Sequence, residues 1–146
     1  MSKINDSTAV AEWKGDLPKG GGTLRAGTGS FDLPYSFASR FEKDKSKTNP
    51  EELIGAAHAG CYSMALSGAL AKAGHPPTSV KTKATVALER VDEKPTVTVI
   101  TLDVEGVVPG MDAETFKKHA EDAKGGCPIS RLLAPGARIE LKATLK

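Results

Sequence analysis

Residues 49–77 read NPEELIGAAHAGCYSMALSGALAKAGHPP, and this stretch decides the fold. Asn49 can cap a helix, Pro50 suits the first helical position because its missing N–H would be unpaired there anyway, and Glu52 follows at the third. Lys72 stands near the last carbonyls, and Gly74 with the pair Pro76–Pro77 stops the run. The signals predict one long helix ending at about Lys72. From Leu53 to Ala71 it contains no Asp, Glu, Lys or Arg, but Gly55, Gly60, Gly68, Ser63, Ser67 and His58 dilute its hydrophobicity. A buried helix of a soluble protein is expected, not a membrane span.

Around this helix the pattern turns to strands. Upstream, STAVAEWK (Thr8 to Lys14), TLRAG and PYSFASRF (to Phe41) read as three short strands of a meander, and the glycine-rich GGGTLRAGTGS lacks the ending of a phosphate loop and reads as turns. Downstream, SVKTKATVALERV alternates polar and apolar residues and TVTVITLDVEGVV answers it across the turn DEKP. The apolar phase moves between Val97, Val99 and Ile100, which suggests a bulge near Val99. Asp112 then caps a helix, with Met111 and Phe116 placed as a hydrophobic staple and Gly125–Gly126 at its end. Cys127–Pro128 opens a short helix through Leu133, and Ile139, Leu141, Ala143 and Leu145 mark a last strand. The order βββ-α-ββ-αα-β defines an α+β class, distinct from the alternating βαβ of dinucleotide folds.

The 146 residues predict a single domain, 1–146. Twenty basic and 18 acidic residues leave a net charge of +2, and the basic ones are scattered, so nucleic acid is not an expected partner. The opening MSKINDSTAVAEWKGD has no apolar segment of a secretory signal, and a cytoplasmic location is expected. In that setting the two cysteines should rest as thiols, available for chemistry, metal or packing.

Cys61, in an uncharged helix, should have its pKa pushed above the free value of roughly 8.5. It reads either as a small hydrophobe in a tight contact or as a nucleophile whose activating cation comes from elsewhere. Cys127 precedes Pro128 at an N-cap, where unpaired N–H groups favour an anion; a simple cap and a disulfide-competent thiol both fit. His58 and Cys61 are three apart and could share a zinc ion, but Cys127, His75 and His119 lack ligand spacing, so no metal is expected. His58 is read as a hydrogen-bonded helix residue, Met64 as core, and Trp13 and Tyr35 as strand residues packing on the sheet.

RFE (Arg40 to Glu42), TNPEELIGAAHAGCYSMAL (Thr48 to Leu66), VPGMDAETF (Val108 to Phe116) and GCPIS (Gly126 to Ser130) closely resemble the osmotically inducible protein C (OsmC) family, in order along nearly the whole chain. The organic hydroperoxide resistance proteins share NPE…C and CP, but EELIGAAHAGC and the position of Arg40 after the third strand are more similar to OsmC proper. The resemblance implies an OsmC-like fold, an intertwined homodimer, and a cysteine-based peroxidase that reduces organic, and less efficiently inorganic, hydroperoxides with no cofactor. It implies that Cys61 is the peroxidatic thiolate, Cys127 the resolving cysteine, and Arg40 with Glu51 the pair that activates Cys61. Recycling by a dithiol or lipoyl-type reductant is implied as well.

Two expectations go further. Glu52 is placed to close a capping box with Asn49, which leaves Glu51 free. Ten residues at about 1.5 Å each separate Glu51 from Cys61 by roughly 15 Å along a straight helix, so Glu51 and Arg40 should serve the Cys61 of the other subunit unless the helix breaks near Gly55 or Gly60. The small residues Gly55, Ala56, Ala59, Gly60 and Ala65 suit either a close helix crossing at a dimer interface or a tight core. Ile54, Met64 and Phe41 are candidates for apolar pocket walls. A non-catalytic dimer holding an apolar small molecule is the competing function.

Overall fold

The computed structural model describes all 146 residues, Met1–Lys146. The chain divides into two compact units, Met1–Leu53 and Ile54–Lys146, with the boundary inside the long helix.

In the first unit β1 (Ala9–Lys14), β2 (Gly21–Ala26) and β3 (Asp32–Tyr35) form the expected antiparallel meander in the order β1-β2-β3. Gly21 and Gly22, read as turn, are strand residues. Register puts Gly22 between Trp13 and Tyr35, whose rings meet edge to face at 5.2 Å. A Cβ on Gly22 would come within 2.5 Å of the Tyr35 ring, so the aromatic pair requires a glycine at that position.

The third expected strand is also corrected. It stops at Tyr35, and α1 (Phe37–Phe41) follows, so Arg40 lies on a helix. Ser36 and Ser39 explain the change: the Ser36 hydroxyl accepts from the Ser39 N–H at 3.1 Å while Ser39 Oγ accepts from the Ser36 N–H at 3.0 Å. This reciprocal cap satisfies donors that a strand would have to pair otherwise.

The long helix α2 runs from Pro50 to Lys72 without a break, as its end signals predicted. Asn49 Oδ1 accepts from the Glu52 N–H at 2.8 Å. The capping box does not close, because the Glu52 carboxylate accepts from the Thr48 hydroxyl at 2.8 Å instead of from Asn49. Burial follows one stripe of the helix, through Gly55, His58, Tyr62, Leu66 and Leu70; the opposite stripe, Ala57, Gly60, Met64, Gly68 and Ala71, is exposed. Met64, read as core, is 77% exposed.

In the second unit β4 (Ser79–Val91) and β5 (Lys94–Val107) form the expected hairpin. The turn is shorter than DEKP: only Asp92 and Glu93 make it, at φ 46° and 64°, the left-handed pair that matches the twist of two-residue hairpins. Ala87 pairs with Val99 and Leu88 with Val97, so Thr98 is the extra residue of a bulge where the apolar phase shifts. The helices α3 (Ala113–Gly126) and α4 (Pro128–Leu133) then carry the chain over to β6 (Arg138–Leu145), which lies parallel to β5. A parallel neighbour needs such a crossover. The core of this unit gathers Tyr62, Leu66 and Leu70 of α2, Ile100, Leu102 and Val104 of β5, and Phe116 and Ala120 of α3. Phe116 packs against β5 at Gly106, which has no side chain; a Cβ there would stand 2.4 Å from the ring.

Candidate active site

The two cysteines meet in the second unit. Cys61 lies midway along α2, and Cys127 stands between α3 and α4, its N–H bonded to the Ala123 carbonyl and its carbonyl to the Arg131 N–H, both at 3.1 Å. Pro128 fixes the start of α4, so the Cys127 side chain occupies the N-cap as the sequence predicted, and Sγ accepts from the Ser130 N–H at 3.3 Å. Both cysteines are free thiols, and their sulfurs are 2.9 Å apart.

Their electrostatics differ. Burial pushes the Cys61 thiol up, and Cys127 adds to that effect, while only the Ile129 N–H opposes it. None of these influences is a cation, as the uncharged helix predicted. Burial pushes the fully buried Cys127 up too, but hydrogen bonds from Cys61, from the Ser130 side chain and N–H and from the Ile129 N–H outweigh it, and the thiol is held below its usual range.

His58 is fully buried, its Nε2 2.6 Å from the Ser130 hydroxyl, and burial holds the imidazole below its usual pKa. The expected hydrogen bond is present, but its partner is 72 residues away and no spacing rule could have named it. Nε2 is engaged by Ser130, and no group of three or more His, Cys, Asp or Glu side chains is placed to hold a metal ion.

The other two site candidates meet in the first unit. Ser39 ties α1 to the start of α2: its hydroxyl donates to the Thr48 carbonyl at 2.7 Å, and its own carbonyl accepts from the Asn49 amide at 2.9 Å. This brace turns Arg40 toward Glu51. Arg40 Nε lies 3.0 and 3.2 Å from the two carboxylate oxygens and Nη2 lies 2.7 Å from Oε1, a forked pair. Glu51, at the second position of α2, is nearly buried, with 9% of its side chain exposed against 38% for Arg40. The helix N-terminus favours its charge. The guanidinium also sits 5.2 Å over the Phe41 ring. Beside it a cleft of about 340 Å³ is lined by Trp13, Leu17, Tyr35, Phe37, Phe41 and Arg40. Phe41 is thus a wall residue as expected, whereas Met64 faces outward and Ile54 lines a separate hollow with Val97 and Leu133. Sequence reasoning missed Trp13 and Tyr35 as cleft residues, since their strand positions gave no sign of the opening.

The sequence matches the family described as OsmC-like protein over residues 43–142. Arg40 lies just before that span. The chain is 50% identical over 137 residues to the peroxiredoxin OsmC of Escherichia coli, covering 93% of this chain and 94% of that protein. The same identity and coverage hold for the peroxiredoxin OsmC of Shigella flexneri. Among crystal structures, an organic hydroperoxide resistance protein of Elizabethkingia anophelis superposes with a TM-score of 0.81 over the whole of both chains at 18% identity. The organic hydroperoxide resistance protein OhrB of Bacillus subtilis does so with 0.75 over 94% of this chain and 98% of its own, at 21% identity. These distant structures share the fold.

Proposed function

The chain belongs to the OsmC-like protein family, and from that premise we propose that it is a thiol-dependent peroxidase that reduces organic hydroperoxides to alcohols. The observation that carries the mechanism is the 2.9 Å approach of Cys61 and Cys127. Cys61 thiolate attacks the distal peroxide oxygen, the O–O bond breaks, the alkoxide leaves and takes up a proton to become the alcohol, and Cys61 becomes a sulfenic acid. Cys127 thiolate then attacks that sulfur, a disulfide forms, and the hydroxide released takes up a proton as water. A dithiol reductant of lipoyl type attacks the disulfide and restores both thiols. A reducing, cytoplasmic setting suits a resting state with two free thiols.

Burial raises Cys61, so its activation needs a cation that the second unit does not supply. Arg40 is that cation: its guanidinium is aimed by Glu51, binds the peroxide and stabilises the thiolate. The uninterrupted α2 supports an action in trans. A charge about 4 Å away is worth roughly 4 kcal/mol at an effective dielectric of about 20, but roughly 1 kcal/mol at the ~15 Å spanned by ten helical residues. Arg40 and Glu51 therefore act on Cys61 of the partner subunit in a homodimer. The exposed stripe of α2 fits a second copy of that helix. A Cβ added at Gly60 or Gly68 would meet nothing within 4 Å, so nothing in this chain demands their small size. The cleft beside Arg40 places apolar surface next to a cation, which favours alkyl or lipid peroxides over hydrogen peroxide.

The test is peroxide consumption with cumene hydroperoxide and hydrogen peroxide, run in parallel with a lipoyl donor, thioredoxin and glutathione. Rapid turnover of the organic peroxide with the lipoyl donor is expected. Absence of turnover with every donor, together with cysteines that remain reduced, would overturn the reading in favour of a non-catalytic binding dimer.

A further inference from the structure

Ser130 touches the Cys127 sulfur, and His58 holds Ser130 from behind. The Ser130 N–H donates to Cys127 Sγ at 3.3 Å, and its hydroxyl lies 2.6 Å from His58 Nε2. Both side chains are sealed from solvent, His58 at 0% and Ser130 at 2% exposure, and His58 Nδ1 has no partner. That orphan atom decides the tautomer. A buried N–H without an acceptor is among the rarest features of folded proteins, whereas an unused acceptor lone pair is better tolerated. The hydrogen therefore sits on Nε2, which donates to Ser130 Oγ and leaves the hydroxyl hydrogen of Ser130 free to turn toward Cys127.

We propose that His58 is a positioning residue for the resolving half of the cycle: it fixes the Ser130 hydroxyl as a donor to Cys127 Sγ, so that Cys127 meets the Cys61 sulfenic acid as a thiolate. This rests on the reading of Cys127 as the resolving cysteine. In the step, the Cys127 sulfur supplies an electron pair, the S–S bond forms, the S–O bond of the sulfenic acid breaks, and hydroxide leaves and is protonated to water. The sum is one sulfenic acid and one thiol giving one disulfide and one water. A thiolate at a fully buried sulfur is costly unless donors stabilise it: the Ser130 N–H reaches Sγ at 3.3 Å, and the Ser130 side chain and the Ile129 N–H also act to hold the thiol down. Among titratable groups, Cys61 of α2 hydrogen-bonds the Cys127 sulfur, Tyr62 of α2 senses its charge, and Glu121 of α3 acts on Tyr62 in turn. Tyr62 donates its phenol hydrogen to the Ala120 carbonyl, and burial keeps it neutral. The His58 contact to Ser130 Oγ is what would hold that hydroxyl toward Cys127.

The experiment titrates Cys127 as the sole thiol, by ultraviolet thiolate absorbance, in a Cys61→Ser background. Ser130→Ala and His58→Leu should leave about tenfold less thiolate at a given pH, equivalent to a pKa raised by about one. His58→Gln, which can place an N–H near the Nε2 position, should retain most of the parental thiolate. In the two-cysteine chain treated with one equivalent of cumene hydroperoxide, Ser130→Ala and His58→Leu should form the disulfide about tenfold more slowly and accumulate Cys61 sulfinic acid. Their initial Cys61 oxidation should not slow. Parental titration in folded Ser130→Ala overturns the proposal, as does a His58→Gln variant that shifts as far as His58→Leu. Ser130→Ala removes one oxygen and keeps the backbone donor, so it carries the test if His58→Leu does not fold. Failure of the resolving assignment itself would show separately, as unchanged steady turnover in Cys127→Ser.

Discussion

Arg40 and Glu51, 11 residues apart in sequence, form a forked ion pair in which the carboxylate is nearly buried and the guanidinium is partly open to solvent. Glu51 is thus the anchored partner and Arg40 the exposed one. The orientation leaves guanidinium surface for a peroxide or a thiolate, which a fully sealed pair would not.

Replacing Arg40 should damage both activity and stability. Arg40→Lys keeps the charge but loses the fork, and its kcat/KM for cumene hydroperoxide should fall by about a hundredfold. Arg40→Ala strands a buried carboxylate, a class of change that costs about 3–5 kcal/mol, whereas Glu51→Gln leaves no orphan charge and should cost less. Urea denaturation of the three variants measures the ranking. Equal stability of Arg40→Ala and Glu51→Gln would show that the Glu51 charge is solvated after all.

The cysteines separate by their products. Cys61→Ser should consume no peroxide. Cys127→Ser should complete about one turnover and then carry sulfinic or sulfonic acid at Cys61, because nothing traps the sulfenic acid. Intact-mass spectrometry after graded peroxide distinguishes these states, and sustained dithiol-driven turnover by Cys127→Ser would refute its resolving role.

His58 makes stability depend on pH in the mildly acidic range. Burial sets its folded pKa below the ordinary 6.5, so an unfolded chain binds a proton there that the folded chain refuses. The sign follows directly: the stabilisation is complete above 6.5 and is lost as pH falls from there toward the lower folded value. Urea midpoints measured from neutral to mildly acidic pH should decline in the parent, and the parent-minus-variant difference should fall with pH when His58→Gln is the reference. A difference independent of pH would mean that His58 titrates normally.

Legibility from sequence followed the range of the interaction involved. The ends of α2 were plain because Asn49, Pro50, Gly74 and Pro76 act on their own backbone, and the Thr98 bulge showed as a phase change in the apolar pattern. Local competition misled at two places: PYSFASRF looks like a strand until Ser36 and Ser39 cap each other, and Glu52 has Thr48 as well as Asn49 within reach. Contacts across long loops left no local trace. Cys61 meets Cys127 across 66 residues and His58 meets Ser130 across 72, so the first pair was named only through family resemblance and the second pair was missed.

The division of the site between subunits can be decided by mixing two inactive chains. A hybrid dimer of a Cys61→Ser subunit and an Arg40→Ala subunit contains one intact Cys61 and one intact Arg40, on different chains. If Arg40 acts on the partner's Cys61, these two complete one site, and purified hybrid should show about half the parental turnover while both homodimers stay nearly inactive. If Arg40 serves its own chain, neither site is complete and the hybrid should be as poor as the homodimers. The first outcome is expected from the ten helical residues, at about 1.5 Å each, that run from Glu51 to Cys61. Two affinity tags, one on each chain, isolate the hybrid for the assay. Turnover no better than the Arg40→Ala homodimer would end the assignment in trans and leave the activating cation to be sought within the chain.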